Sequence, residues 1–212
     1  MAGGKYDTFN TPRQLTKING EILIERTIRL LKENGITDIA ISSNDPRFDG
    51  FGVPRLEHEN NFEFKDGKTI KGHWVDAFYP TDEPTTYLYG DVYYSEECIK
   101  TIINTPTNRI LFFASNIPNR KDYFKSWEEP YAFKVANQKK FKKCIEVCKE
   151  KADNGETKRE PISWELYRVI NGININKHII GKGFVAINDI SVDIDREEDI
   201  KQLENIIKGV DK

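Results

Sequence analysis

The sequence predicts an α/β fold in a single domain spanning residues 1–212, and two observations predict it. Helical and extended stretches alternate along most of the 212 residues, with no linker, repeat or low-complexity tract between them. The clearest unit, INGEILIERTIRLLKENGITDIAISSN, reads as helix, glycine, strand. That is half of a βαβ unit, so a parallel sheet is implied. Within it Leu23, Thr27, Leu30 and Leu31 recur at helical spacing, and Ile24 and Ile28 widen the apolar stripe. Asn34-Gly35 is a helix stop, and DIAIS after it is a short buried strand.

The remaining elements follow from the same signals. NNFEFKDGKTIKGHWV has two extended runs joined at Asp66-Gly67, a β-hairpin inserted at about residues 60–75. TTYLYG is a second buried strand ending at Gly90-Asp91, and Ser95 is placed to cap the helix in EECIKTII. RILFFAS and YAFKVAN are further strands. KKFKKCIEVCKEKADNG is an amphipathic helix stopped at Asn154-Gly155. PISWELYRVING is another helix, with Pro161 near its first turn and Gly172 beyond its end. FVAIND is a last strand, and REEDIKQLENIIKG a closing helix with acids first and Lys208 near the end.

Composition narrows the function classes. Twelve Phe, nine Tyr and three Trp supply a sizeable core although only 38% of residues are apolar. A net charge of −2 from 32 basic and 34 acidic groups argues against a nucleic-acid coat or a polybasic membrane anchor. Three cysteines without CxxC spacing make neither a disulfide framework nor a zinc site, and Cys144 and Cys148, one turn apart, read as the inner face of a helix. No signal peptide or membrane-spanning apolar run is present, so the expected compartment is a reducing cytoplasm. His58, His73 and His178 are scattered and read as structural or solvated.

Three stretches could carry chemistry. Gly3-Gly4 leaves backbone N–H groups bare for an anion, with Lys5 and Arg13 as candidate phosphate charges; an ordinary turn is the alternative. Asp91 follows an apolar strand through a glycine, where ligands collect in open α/β sheets and a carboxylate can hold a hard cation such as Mg²⁺. Closing a turn is the alternative, and for this residue alone the preferred one. Asp193 and Asp195, two apart in VDIDREEDI, project to the same side of an extended chain. Asp195 could also be the N-cap of the closing helix.

MAGGK…TPRQLTKINGEILIERTIRLLKENGITDI resembles the opening of the nucleotidyltransferases that activate phosphorylated sugars, cholines and polyols as nucleoside diphosphate conjugates. Gly3, Gly4, Pro12, Gly20, Leu23 and Ile24 match that pattern. LYGDVYYS is similar to the family's metal-carboxylate strand end, and VDIDREEDI to its closing acidic motif, particularly in the cytidylyltransferase branch. The resemblance implies a three-layer sandwich on a mixed, mostly parallel, Rossmann-like sheet. It implies Mg²⁺ held by Asp91 and Asp195 with Asp193 beside them, and a triphosphate received by Gly3, Gly4, Lys5 and Arg13, with Arg13 and Lys5 catalytic. The reaction implied is attack by a substrate phosphate oxygen on the α-phosphorus of a nucleoside triphosphate, CTP favoured, with release of pyrophosphate. A phosphate monoester is already largely ionised at pH 7, so no general base is needed.

The match departs from the family in two places. Tyr6-Asp7-Thr8 stands where the family continues Gly-Thr-Arg, and Arg13 stands at its Pro-Lys lysine. The family's first strand, which should run into the glycines, is not in the sequence, and the expectation is a true start upstream of Met1. The partners implied are a nucleoside triphosphate and a phosphorylated small molecule such as a sugar phosphate, with no nucleic acid and no membrane; a homodimer is allowed. Two alternatives stand beside this reading: a metal-dependent glycosyltransferase, and a non-catalytic descendant that binds a nucleotide or a protein partner. Trp74, Tyr79 and Tyr87, and likewise Trp127 and Trp164, suit either base stacking or the core, and the core is the expectation for the first three.

Overall fold

The computed structural model describes residues 11–65, 68–116, 125 and 127–209. Gly3, Gly4 and Lys5, and the Asp66-Gly67 turn, lie outside the described residues.

In chain order the strands and α-helices are β1 (Lys17–Ile18), β2 (Glu21–Ile22), α1 (Leu23–Glu33), β3 (Ile41–Ser42), β4 (Arg55–Leu56), β5 (Glu63–Lys65) and β6 (Lys68–Lys71). They continue with β7 (Thr85–Leu88), β8 (Val92–Tyr93), α2 (Glu96–Asn104), β9 (Ile110–Ser115), β10 (Pro130–Val135) and α3 (Gln138–Asp153). The last four are α4 (Ser163–Ile170), β11 (Phe184–Ile187), β12 (Val192–Asp193) and α5 (Glu197–Lys208).

The stop signals act as their chemistry requires. Gly35, just past α1, has φ +81°, a conformation that a side chain would strain. The Ser95 hydroxyl accepts from the Cys98 amide at 2.9 Å and caps α2. α4 begins at Ser163, two residues beyond Pro161, where the Glu165 carboxylate accepts from the Ile162 amide at 3.2 Å.

The main sheet runs β11-β9-β10-β7. β9, the run ILFFAS, is buried at all six positions, the pattern of a strand covered on both faces. β11 pairs with it in parallel, Phe184 opposite Phe112. β10 runs antiparallel to both β9 and β7. The sheet is therefore mixed, and within it the parallel pairing is the minority. β3 and β4 form a separate parallel pair, and β5 and β6 the expected hairpin.

Aromatic residues dominate the core. Phe112 stacks on Phe133 at 4.7 Å and on Tyr167 at 4.9 Å, and Phe78 meets Phe141 edge-on at 5.1 Å. Cys144 and Cys148 are buried on α3 as expected, and burial pushes the Cys148 thiol up to about 12, far from a reactive range. A smaller cluster of Ile18, Leu23, Tyr93, Val192, Ile194 and Leu203 joins β1, α1, β8, β12 and α5. That second cluster fixes the strand ends on which the candidate site stands.

Candidate active site

β8 and β12 pair antiparallel, with Val192 opposite Tyr93 and Asp193 opposite Val92. One residue further on, the Ile194 amide donates to the Asp91 carbonyl at 2.9 Å. This ladder brings the Asp91 turn and the Asp193–Asp195 segment, distant in sequence, to one place. All three predicted metal carboxylates line a single cleft of about 420 Å³.

Arg13 enters the same cleft from a single 3₁₀ turn, Arg13–Leu15. Its guanidinium donates to Asp195 Oδ1 and to Asp91 Oδ2, each at 2.6 Å, and to the Ile194 carbonyl at 2.9 Å. A single planar fork thus spans both carboxylates, a geometry for which arginine is suited and lysine is not.

Two further groups that the sequence did not single out complete the cluster. Glu129, 1% exposed, accepts through Oε2 from the Asp193 amide at 2.9 Å. Lys125, also buried, donates to Asp195 Oδ2 at 3.0 Å and to Asp199 Oδ2 at 2.8 Å, and its Nζ lies 3.3 Å from Glu129 Oε1. Asp199 in turn accepts from the amides of Asp195 and Arg196, at 2.8 and 3.0 Å. The first-turn acid therefore closes the start of α5. Asp195 is not its N-cap, and its carboxylate faces Arg13 and Lys125 instead.

Among the described residues the charges are unevenly matched. Five carboxylates, those of Asp91, Glu129, Asp193, Asp195 and Asp199, gather around the two cations Arg13 and Lys125. Burial would raise the Asp195 carboxyl, but Lys125 and Arg13 outweigh it and hold the group below the usual carboxylate range. For Asp193 the balance is reversed. Burial first, then the negative charges of Asp91, Asp195 and Glu129, push its carboxyl well above that range against the pull of Arg13. Its Oδ1 is shielded from solvent and has no hydrogen-bond partner among the described residues.

This donor set fits a small hard dication. Carboxylate oxygens of Glu129, Asp193 and Asp195 lie within 4.8 Å of one another, and the shielded Asp193 Oδ1 has no donor among the described residues. Oxygen ligands supplied by a few carboxylates, with room for a phosphate, suit Mg²⁺.

Beyond the acids the cleft has aromatic walls: Trp74, Tyr89, Trp127 and Trp164. Trp164 and Tyr89 belong to the core and line the cleft at once, whereas Trp127 is half exposed beside Lys125, whose Nζ is 5.6 Å from its ring. Tyr87 is buried and its hydroxyl donates to the Tyr79 carbonyl at 2.8 Å. At the far end Arg168 stands 3.0 Å from His178 Nδ1, and His178 Nε2 lies 3.6 Å from a Glu128 oxygen. His58 and His73 lie outside this cleft.

No protein-family model matches the chain, and no curated protein matches it. Among solved structures it is similar to a CTP:phosphocholine cytidylyltransferase from Streptococcus pneumoniae, with a TM-score of 0.51. The two share 17% identity over 93% of this chain and 90% of that one. At that identity the likeness is one of fold: a Rossmann-like α/β sandwich of the kind found in a cytidylyltransferase. Among the described residues no helix is long and apolar enough to cross a membrane.

Proposed function

We propose that this protein is a Mg²⁺-dependent nucleotidyltransferase that joins a nucleoside triphosphate, CTP favoured, to a phosphorylated small metabolite. The observation that carries the reading is the convergence of Asp91, Asp193 and Asp195 in one cleft, with buried Glu129 beside them. Asp91, Asp193 and Asp195 would hold the cation, with Glu129 as a further oxygen donor. When bound, the cation neutralises phosphate charge and polarises the phosphorus under attack.

In the reaction an oxygen of the acceptor phosphate forms a bond to the α-phosphorus, and the bond from that phosphorus to the bridging oxygen of pyrophosphate breaks. No proton need be removed from the nucleophile at pH 7. The protein's own contribution is alignment and charge: the carboxylates would hold the cation that meets the polyphosphate, and Lys5 and Arg13 are the candidate cationic side chains for it. Lys125 keeps Asp195 and Asp199 in place.

The acceptor reading leans on the walls of the cleft. Indole and phenol rings give a stacking face that suits a cationic or apolar head group better than a polyhydroxylated ring, and Glu128 shares the lining with Arg159, Arg168 and His178. We therefore favour a phosphorylated amino alcohol over a sugar phosphate. Phosphocholine, named for the structural neighbour, is one such compound.

A second reading is favoured by one observation. Arg13 is already paired with both Asp91 and Asp195, as it would be in a non-catalytic, Mg²⁺-independent binding protein. Pyrophosphate release separates the two. The assay takes Mg²⁺, each of the four triphosphates, and amino-alcohol, sugar and polyol phosphates. Turnover with one pair, lost on Asp195→Asn by about a hundredfold or more, is the expected result. Folded protein that binds nucleotide equally with and without Mg²⁺, and releases no pyrophosphate with any pair, would overturn the enzyme reading. A metal-dependent glycosyltransferase would consume a finished nucleotide sugar and release no pyrophosphate.

A further inference from the structure

Arg13 and a divalent cation have a claim on the same oxygens. Arg13 is 7% exposed, and its guanidinium uses both terminal nitrogens on Asp91 Oδ2 and Asp195 Oδ1. Those are two of the carboxylates that the proposed function gives to Mg²⁺. Resting on that reading, we propose that Arg13 is a resident counter-ion of the metal carboxylates. It competes with free divalent cation for Asp91 and Asp195, and it leaves them when a nucleotide polyphosphate offers it another anion. The cation then enters with the nucleotide rather than ahead of it.

Three features support the exchange. First, the side chain springs from one 3₁₀ turn, closed by Leu15 N to Pro12 O at 2.9 Å and Thr16 N to Arg13 O at 3.0 Å. Moving the side chain breaks no longer helix. Second, the Asp91 and Asp195 carboxylates that Arg13 holds stand beside Glu129 and Asp193, and oxygens of Glu129, Asp193 and Asp195 lie within 4.8 Å of one another. Carboxylate charge therefore remains to attract a dication once the guanidinium moves. Third, the fork that spans two carboxylates also matches a phosphate, so the same side chain has a second partner of like geometry. Arg13 would thus serve the polyphosphate after leaving the acids, which joins its predicted nucleotide-binding role to its observed one.

The test is direct binding of Mn²⁺ alone, read by the electron paramagnetic resonance signal of the free ion, on the full chain without nucleotide. Arg13→Gln is expected to bind Mn²⁺ about tenfold tighter than the native protein, or more. Arg13→Lys should fall between them, because an ammonium reaches one carboxylate at a time. Guanidinium chloride should weaken Mn²⁺ binding to Arg13→Gln more than sodium chloride at equal ionic strength. If Arg13→Gln does not fold, Arg13→Lys carries the test, with tighter binding than native again expected. Equal or weaker binding by the variants, or no Mn²⁺ binding by any of the proteins, overturns the proposal. The reaction reading fails separately: tight Mn²⁺ binding by Arg13→Gln with no pyrophosphate released by the native protein under any pairing would sink that reading alone.

Discussion

The backbone amide of Asp193 donates to Oε2 of Glu129 at 2.9 Å, so a main-chain group holds a fully buried carboxylate against the strand that carries the candidate metal ligands. The contact ties β10's lead-in to β12. Removing the acceptor leaves a shielded amide without a partner, which costs about 1–3 kcal/mol. Glu129→Ala should lose that much in urea unfolding, and Glu129→Gln less, since an amide oxygen can still accept. Two variants as stable as the native protein would show that the contact contributes nothing.

Asp193 supplies a prediction of the opposite sign. An unfolded aspartate ionises near pH 3.9, whereas burial and the surrounding acids delay ionisation of the folded one. Above pH 3.9 and up to the raised folded value, the folded state keeps a proton that the unfolded state has lost. Stability therefore falls as pH rises through that window. Asp193→Asn has no charge to suppress. It should be more stable than the native protein at pH 7, by about 0.5–2 kcal/mol, with the gain fading towards pH 4. Denaturant midpoints at the two pH values measure it, and a variant less stable at pH 7 than at pH 4, relative to native, would contradict it.

Lys125 answers three carboxylates from a position only 5% exposed at its side chain. Lys125→Met leaves Glu129, Asp195 and Asp199 with far less positive charge in a shielded site, and breaking a buried pair in this way costs about 3–5 kcal/mol. The loss should be full at pH 7. Asp195 is held below the usual range chiefly by Lys125 and Arg13, against its burial, so its share of stability is present above the unfolded value and disappears as pH falls through the lower folded one. The difference between native and variant should accordingly shrink below about pH 4. A pH-independent difference would assign the loss to packing instead.

Much of this architecture is legible from local signals. α1, α2, α3 and α5 announce themselves by apolar spacing and stops, and β9 by an unbroken apolar run. The position of Asp91, Asp193 and Asp195 at strand ends was readable because each follows an apolar run with a recognisable neighbour. Glu129 and Lys125 were not, since nothing in KSWEEP marks a binding residue; only the pairing of β10 and the approach of β12 give them partners. Arg13 was legible as a cation but not by its contacts, because Asp91 and Asp195 reach it through tertiary structure. The direction of β10 was hidden for the same reason: strand polarity depends on the connection, and the strand's own residues do not state it. At Asp195 two local rules competed, and Asp199 satisfies the helix start that Asp195 could have served.

The last prediction concerns a residue away from the cleft. Lys134, on β10, donates from Nζ to the carbonyls of Ile102, Ile103 and Thr105 at 3.0, 2.8 and 2.8 Å. These lie at the end of α2, which has no basic residue in its own last turn. A neighbouring strand thus supplies the cation that the helix C-terminus favours, and satisfies carbonyls that the helix leaves open. Desolvation lowers the Lys134 ammonium from its ordinary range, a cost that the three contacts must outweigh for the arrangement to stabilise the fold. Lys134→Met should lose about 1–3 kcal/mol, a fall in Tm of about 2–4 °C for each kcal/mol in a protein of this size. Hydrogen exchange should quicken at the C-terminal turn of α2 while nucleotide affinity, which the proposed function assigns to the cleft, stays unchanged. A Tm equal to native would mean that desolvation cancels the three hydrogen bonds, and a loss of nucleotide affinity would tie β10 to the cleft through more than its strand pairing.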